Sequence, residues 1–78
     1  MTKLPVVSGK QVIKALRKIG FVVMRQRGSH VLLRRVSAGR IIKLTVPLHK
    51  EMKRGTLKRI LDTAEISVKK FMDLLRDC

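Results

Sequence analysis

The chain has 78 residues, 19 of them Lys or Arg against five Asp or Glu, for a formal net charge of +14 and a pI near 11.5. That length makes one domain over residues 1–78, burying only about 60% of the unfolded surface, while 45% hydrophobic residues exclude a disordered basic tail. The charge points to a polyanionic partner, namely nucleic acid, an anionic membrane surface or an acidic protein, and no apolar run nears the roughly 20 residues of a membrane span.

In chain order, Ser8 and Gln11 have the spacing of a capping box. Val12, Ala15, Leu16 and Ile19 continue as the stripe of an amphipathic helix that Gly20 ends. Phe21 to Gln26 starts β-branched and apolar and is expected as a strand broken at Gly28. His30 to Arg35 follows as a second strand, with Ser37-Ala38-Gly39 as a hairpin turn. From Arg40 to Val46, Ile42, Leu44 and Val46 alternate with Ile41, Lys43 and Thr45, and Pro47 is expected to end the ladder. A basic loop precedes a helical stripe of Leu57, Ile60, Leu61 and Ala64. Ser67 can cap a last helix, with Val68, Phe71, Met72 and Leu75 as its buried side. Met24, Met52 and Met72 read as core filler or helix-face contacts. Cys78 alone cannot form a disulfide within the chain; with no signal-peptide core at the N-terminus, a reducing, cytoplasmic location is expected.

The predicted fold class is α+β: a helix, a three-stranded antiparallel sheet, a helix and a short C-terminal helix. Helices of this amphipathicity should cover one face of the sheet and leave the other free.

Within this order, Gly28-Ser29-His30 opens a strand in a stretch that holds twelve Lys and Arg residues before the first acid, Glu51. Arg25, Arg27, Arg34 and Arg35 flank the triplet. Ser8-Gly9-Lys10, the Gly20-Phe21 step, Arg25-Gln26-Arg27-Gly28-Ser29-His30, Thr45-Val46-Pro47-Leu48-His49 and Lys53-Arg54-Gly55-Thr56-Leu57 with Ile60-Leu61 follow in the order of HicA-type toxins. From about Ser8 to the last helix the chain resembles these small ribonucleases of bacterial and archaeal toxin–antitoxin systems. The resemblance implies a double-stranded-RNA-binding-domain-like α-β-β-β-α fold, His30 as the catalytic histidine of an endoribonuclease acting on messenger RNA, and a HicB-type antitoxin as partner. The acid-free first fifty residues and Val31, where a second polar residue is often found, depart from the family pattern without touching the motif.

The residues can be weighed independently. Cleaving RNA needs deprotonation of a 2′-hydroxyl, stabilisation of a pentacovalent phosphorus and protonation of the leaving 5′-oxygen. Many nucleases use two metal ions held by clustered carboxylates. Here Asp62, Glu65, Asp73 and Asp77 have spacings suited to ordinary pairs with Lys and Arg on helix faces. No metal or other cofactor is therefore expected, leaving acid–base catalysis by histidine with cationic clamps. An imidazole titrates near 6.5 and can accept a proton near neutrality, Gly28 permits close approach of a backbone, and Ser29 offers a hydroxyl to phosphate. The bland alternative for His30 is an exposed strand residue beside a turn. Pairing about the Ser37–Gly39 turn sets it opposite roughly Val46, with His49 within ~10 Å along the strand direction. His49 is then a candidate general acid, or else a loop residue contacting phosphate or nothing.

Lys50, Lys53, Arg54, Lys58 and Arg59 cluster at the start of a helix, where dipole and free amides also favour anions. Lys10, Lys14, Arg17 and Lys18 fit a solvated helix face, as do Lys69, Lys70 and Arg76. With no Trp or Tyr, and Phe21 and Phe71 on expected core faces, there is no aromatic platform for stacking bases. RNA should be held by charge and shape, through Arg25, Arg27, Gly28, Ser29, Lys50, Lys53, Arg54 and Lys58. Three functions remain open: a metal-independent ribonuclease toxin, a non-catalytic double-stranded-RNA-binding module, and a basic adaptor for an acidic protein.

Overall fold

Ser8 starts the first helix as the sequence predicts. Its hydroxyl accepts from the Gln11 amide, and the Gln11 side chain accepts from the Ser8 amide at 2.8 Å, closing a capping box. The computed structural model describes residues 4–76, in the order α1 (Gly9–Arg17), β1 (Val22–Arg27), β2 (His30–Ser37), β3 (Arg40–Pro47), α2 (Arg54–Ala64) and α3 (Val68–Arg76). This is the expected α-β-β-β-α order with one helix appended. Asp77 and Cys78, which carried one acid pair and the redox reading, lie outside the described residues.

The three strands form an antiparallel sheet in the order β1-β2-β3, joined by two-residue turns. Gly28, at φ +55°, opens the first turn, as a type II′ hairpin requires. Ala38 and Gly39 both have positive φ in the second, the type I′ pattern. The second turn closes on Ser37↔Arg40 and sets the β2–β3 register through His30↔Pro47. His30 thus faces Pro47 and not Val46, one residue from the sequence expectation. Bonded pairs alternate with unbonded ones along such a ladder, and Pro47 falls in an unbonded pair, where its missing amide hydrogen removes nothing. The ladder consequently runs one bond past it, from the Leu48 N–H to the Ser29 carbonyl at 2.6 Å.

One face of the sheet turns Val31, Leu33, Leu44 and Val46 into a core shared with Val12, Leu16 and Phe21 and with Leu57, Ile60, Leu61 and Phe71 of α2 and α3. Burying each such side chain contributes about 1.5–3 kcal/mol. Ser67 caps α3 through the Lys70 amide. The buried residues of α3 are Phe71 and Leu74, with Val68, Met72 and Leu75 only partly buried. Leu74 belongs to the stripe because α3 packs beside α1, where the Lys18 ammonium donates to the Leu74 carbonyl at 2.8 Å. That contact gives Lys18 a structural role beyond a solvated helix face. Met52 is buried, whereas Met24 is half exposed on the outlying strand β1. No helix among the described residues is long and apolar enough to cross a membrane.

At the sheet's His30 end, backbone contacts bind the N-terminal segment to the chain leaving β3. Gly9 N–H donates to the His49 carbonyl at 2.9 Å and Met52 N–H to the Val7 carbonyl at 2.8 Å. A Cβ on Gly9 would overlap the Pro47 carbonyl oxygen, so glycine alone permits this approach.

Candidate nucleic-acid and catalytic site

The sheet face opposite the helices carries the candidate site. The pairs Arg27↔His30↔Pro47 and Arg25↔Leu32↔Thr45 form two adjacent rows across it. Arg25, Arg27, His30, Leu32 and Thr45 line one shallow concavity of about 170 Å³. His30 is exposed at the first position of β2, beside the Gly28-Ser29 turn. Arg27 stands directly across from it, and Arg25 is one row along on the same face. No carboxylate lines this concavity, so the two guanidiniums offer their charge to an anion.

A β-bulge makes this arrangement possible. Phe21 and Arg25 are four residues apart and would share a face in a regular strand. In the structure Phe21 is buried in the core while Arg25 and Arg27 pair within the open face. The register slips by one residue between Val23 and Arg25, with Met24 as the extra residue. The slip lets the chain send Phe21, just before β1, into the core and still set two arginines of β1 beside His30 on the other face.

Leu32 and Thr45 complete the wall of the concavity, although neither residue type marks a site in the sequence. Leu32 lies two positions beyond His30 on the same face, and Thr45 is its hairpin partner, so strand alternation combined with register would have found both.

His49 is exposed, two residues beyond the cross-strand partner of His30, or about 7 Å along the strand direction. The Gly9 amide holds its carbonyl, which anchors the segment beside the Gly28-Ser29 turn. Lys50, Lys53 and Arg54 are exposed where this segment enters α2. Lys53 occupies the N-cap without a capping side chain, and the first turn holds no acid, so the positive end of the α2 dipole carries Lys53 and Arg54 and no capping carboxylate. Lys58 differs, because its ammonium pairs with Asp62 at 3.0 Å, the helix-face pairing expected of that acid. Glu65 instead ends α2 in a left-handed conformation, and its carboxylate accepts from both terminal guanidinium nitrogens of Arg40, Nη1 and Nη2, at the far end of the sheet from His30. That carboxylate raises the Arg40 pKa by hydrogen bonding and charge.

Among the described residues no three His, Cys, Asp or Glu side chains are grouped closely enough to hold a metal ion. A family model for the HicA toxin of bacterial toxin–antitoxin systems matches residues 9–66. The match spans α1 through the end of α2 and includes every candidate residue named above. No curated protein matches the chain. The chain belongs to the HicA toxin family, and membership implies a cognate antitoxin.

Proposed function

As the toxin of such a pair, we propose that the protein is a metal-independent endoribonuclease that cleaves messenger RNA with His30 as general base. The observation that carries this reading is a histidine held directly across from Arg27, on a face that also presents Arg25 and no acid at the concavity. The His30 imidazole takes the 2′-hydroxyl proton, and the 2′-oxygen then attacks the adjacent phosphorus. The developing charge on the phosphoryl oxygens is met by Arg25 and Arg27. The bond to the 5′-oxygen breaks, leaving a 2′,3′-cyclic phosphate and a protonated 5′-hydroxyl. His49, on the anchored segment past Pro47, is the candidate for delivering that proton. Gly28 and Ser29 let the backbone approach the turn, and Lys50, Lys53 and Arg54 extend the phosphate grip towards α2, while Lys58 is held by Asp62.

The partner that fits this face is a HicB-type antitoxin presenting Asp or Glu to the cations around His30, which gives fast, salt-sensitive association. RNA degradation by wild type and His30→Ala, each in EDTA, tests the enzyme. Loss of the base should slow cleavage about 10²–10⁴-fold, with EDTA leaving the wild type unchanged. Unaltered cleavage by a folded His30→Ala protein removes His30 from the mechanism, and a strict Mg²⁺ requirement overturns metal independence.

A further inference from the structure

The concavity around His30 does not end at the sheet face. Thr45, which forms part of its wall, also lines a second groove of about 420 Å³ between the free edge of β3 and α2. The polar lining of that groove is Lys43, Thr45, Thr56, Arg59 and Thr63, again without a carboxylate. Lys43 and Arg59 are both exposed.

The sheet adds donors here. The pairs Leu32↔Thr45 and Arg34↔Lys43 alternate with the bonded pairs of the β2–β3 ladder, so the N–H groups of Thr45 and Lys43 point away from β2 to the open edge. Thr63 donates its hydroxyl to the Arg59 carbonyl at 2.9 Å, which leaves Thr45, Thr56 and the two cations to meet anionic oxygens. By contrast, the cationic hollow around Ile13 on α1 shares no lining residue with the His30 concavity.

We propose that this groove is a second RNA-backbone site, in which a single-stranded segment leaves the His30 concavity over Thr45 and runs between β3 and α2. This inference rests on the ribonuclease reading above. A single strand suits the track, which turns over a sheet edge within a molecule of 32 × 30 × 23 Å. A duplex would have to be bent sharply to follow it, and bending costs elastic energy even when spread smoothly over about 20–30 base pairs.

The test uses His30→Ala protein, which holds RNA uncleaved, and single-stranded oligonucleotides titrated across a salt series. Lys43→Ala with Arg59→Ala should weaken binding and flatten the plot of log affinity against log salt by about 1.4, at about 0.7 per lost contact. The charge-matched pair Lys69→Ala with Lys70→Ala, on α3, should leave the slope as in the parent. If the parent binds RNA and the Lys43/Arg59 pair keeps its slope, or changes it no more than the α3 pair does, the groove is not a backbone site and the ribonuclease reading stands. If the His30→Ala parent binds no RNA and the wild type cleaves none, both readings fall together.

Discussion

Replacing Gly9 by Ala and Gly55 by Ala should shift stability in opposite directions, although both glycines lie in the first turn of a helix. At Gly9 the added Cβ overlaps the Pro47 carbonyl oxygen and stands 3.0 Å from Leu48 Cα and from the Pro47 carbonyl carbon. All three are backbone atoms, so no side-chain rotation relieves the overlap. Ordinary carbon contacts need about 3.5–4.0 Å, so α1 and the end of β3 must part by on the order of 1 Å. Such overpacking costs about 1–3 kcal/mol, and loss of the Gly9 bond to the His49 carbonyl adds about 0.5–1.5 kcal/mol. The lower entropy of alanine in the unfolded chain returns about 0.4–1 kcal/mol. The net loss is about 0.5–4 kcal/mol, from a total of roughly 4–12 kcal/mol for a chain of this size. At Gly55 a Cβ meets nothing within 4 Å, so the same substitution should stabilise by up to about 1 kcal/mol. Urea unfolding of both variants in a His30→Ala background measures this through the midpoint at constant m-value. A Gly9→Ala midpoint at or above the parent's would refute the close approach of α1 to Pro47, and with it the account of how the His49 segment is anchored.

The remaining predictions concern the turn, the cap and the phosphate grip. Gly28→Ala meets no neighbour within 4 Å but must hold φ near +55°, so it should destabilise by about 1–2 kcal/mol; urea midpoints check this, and a neutral result would show that the turn relaxes freely. Ser8→Ala removes the capping hydroxyl of α1 and should cost about 0.5–2 kcal/mol, seen as a lower thermal midpoint, whereas an unchanged midpoint would show that the box is not formed in solution. Replacing Lys53, Arg54 and Lys58 together by Ala should flatten the salt dependence of RNA binding. Because Lys58 is paired with Asp62, the slope should fall by about 1.4, the value for two contacts, and not by the 2.1 of three; an unchanged slope would remove the start of α2 from the RNA interface.

Much of this molecule is legible in the linear chain because the deciding interactions are local. Ser8 and Gln11, or Ser67 and Lys70, close their bonds within one helical turn. Gly28 and Gly39 mark the two-residue turns, glycines standing where each tight hairpin takes positive φ, and Leu57, Ile60, Leu61 and Ala64 show their shared face by spacing. His30 stands out by chemical type, as one of two histidines in a chain poor in acids. Interactions between elements required the fold itself. Lys18 reaches Leu74 and Arg40 reaches Glu65 across 56 and 25 residues, separations at which pattern carries no distance. Gly9 reads as an ordinary helix start until Pro47 is placed against it. Leu32 and Thr45 become walls of the site only when the register is known, since a slip of one residue would turn both to the other face. The bulge at Met24 had no signal in composition or alternation, yet it lets Phe21 enter the core while Arg25 and Arg27 face the same side as His30. The sequence by itself therefore determined the elements and their order, each set by neighbours within a few positions, and singled out His30 as the candidate residue by its chemical type. Only the tertiary structure decided which cations and walls surround that residue, because those depend on strand pairing and on backbone approaches between distant parts of the chain.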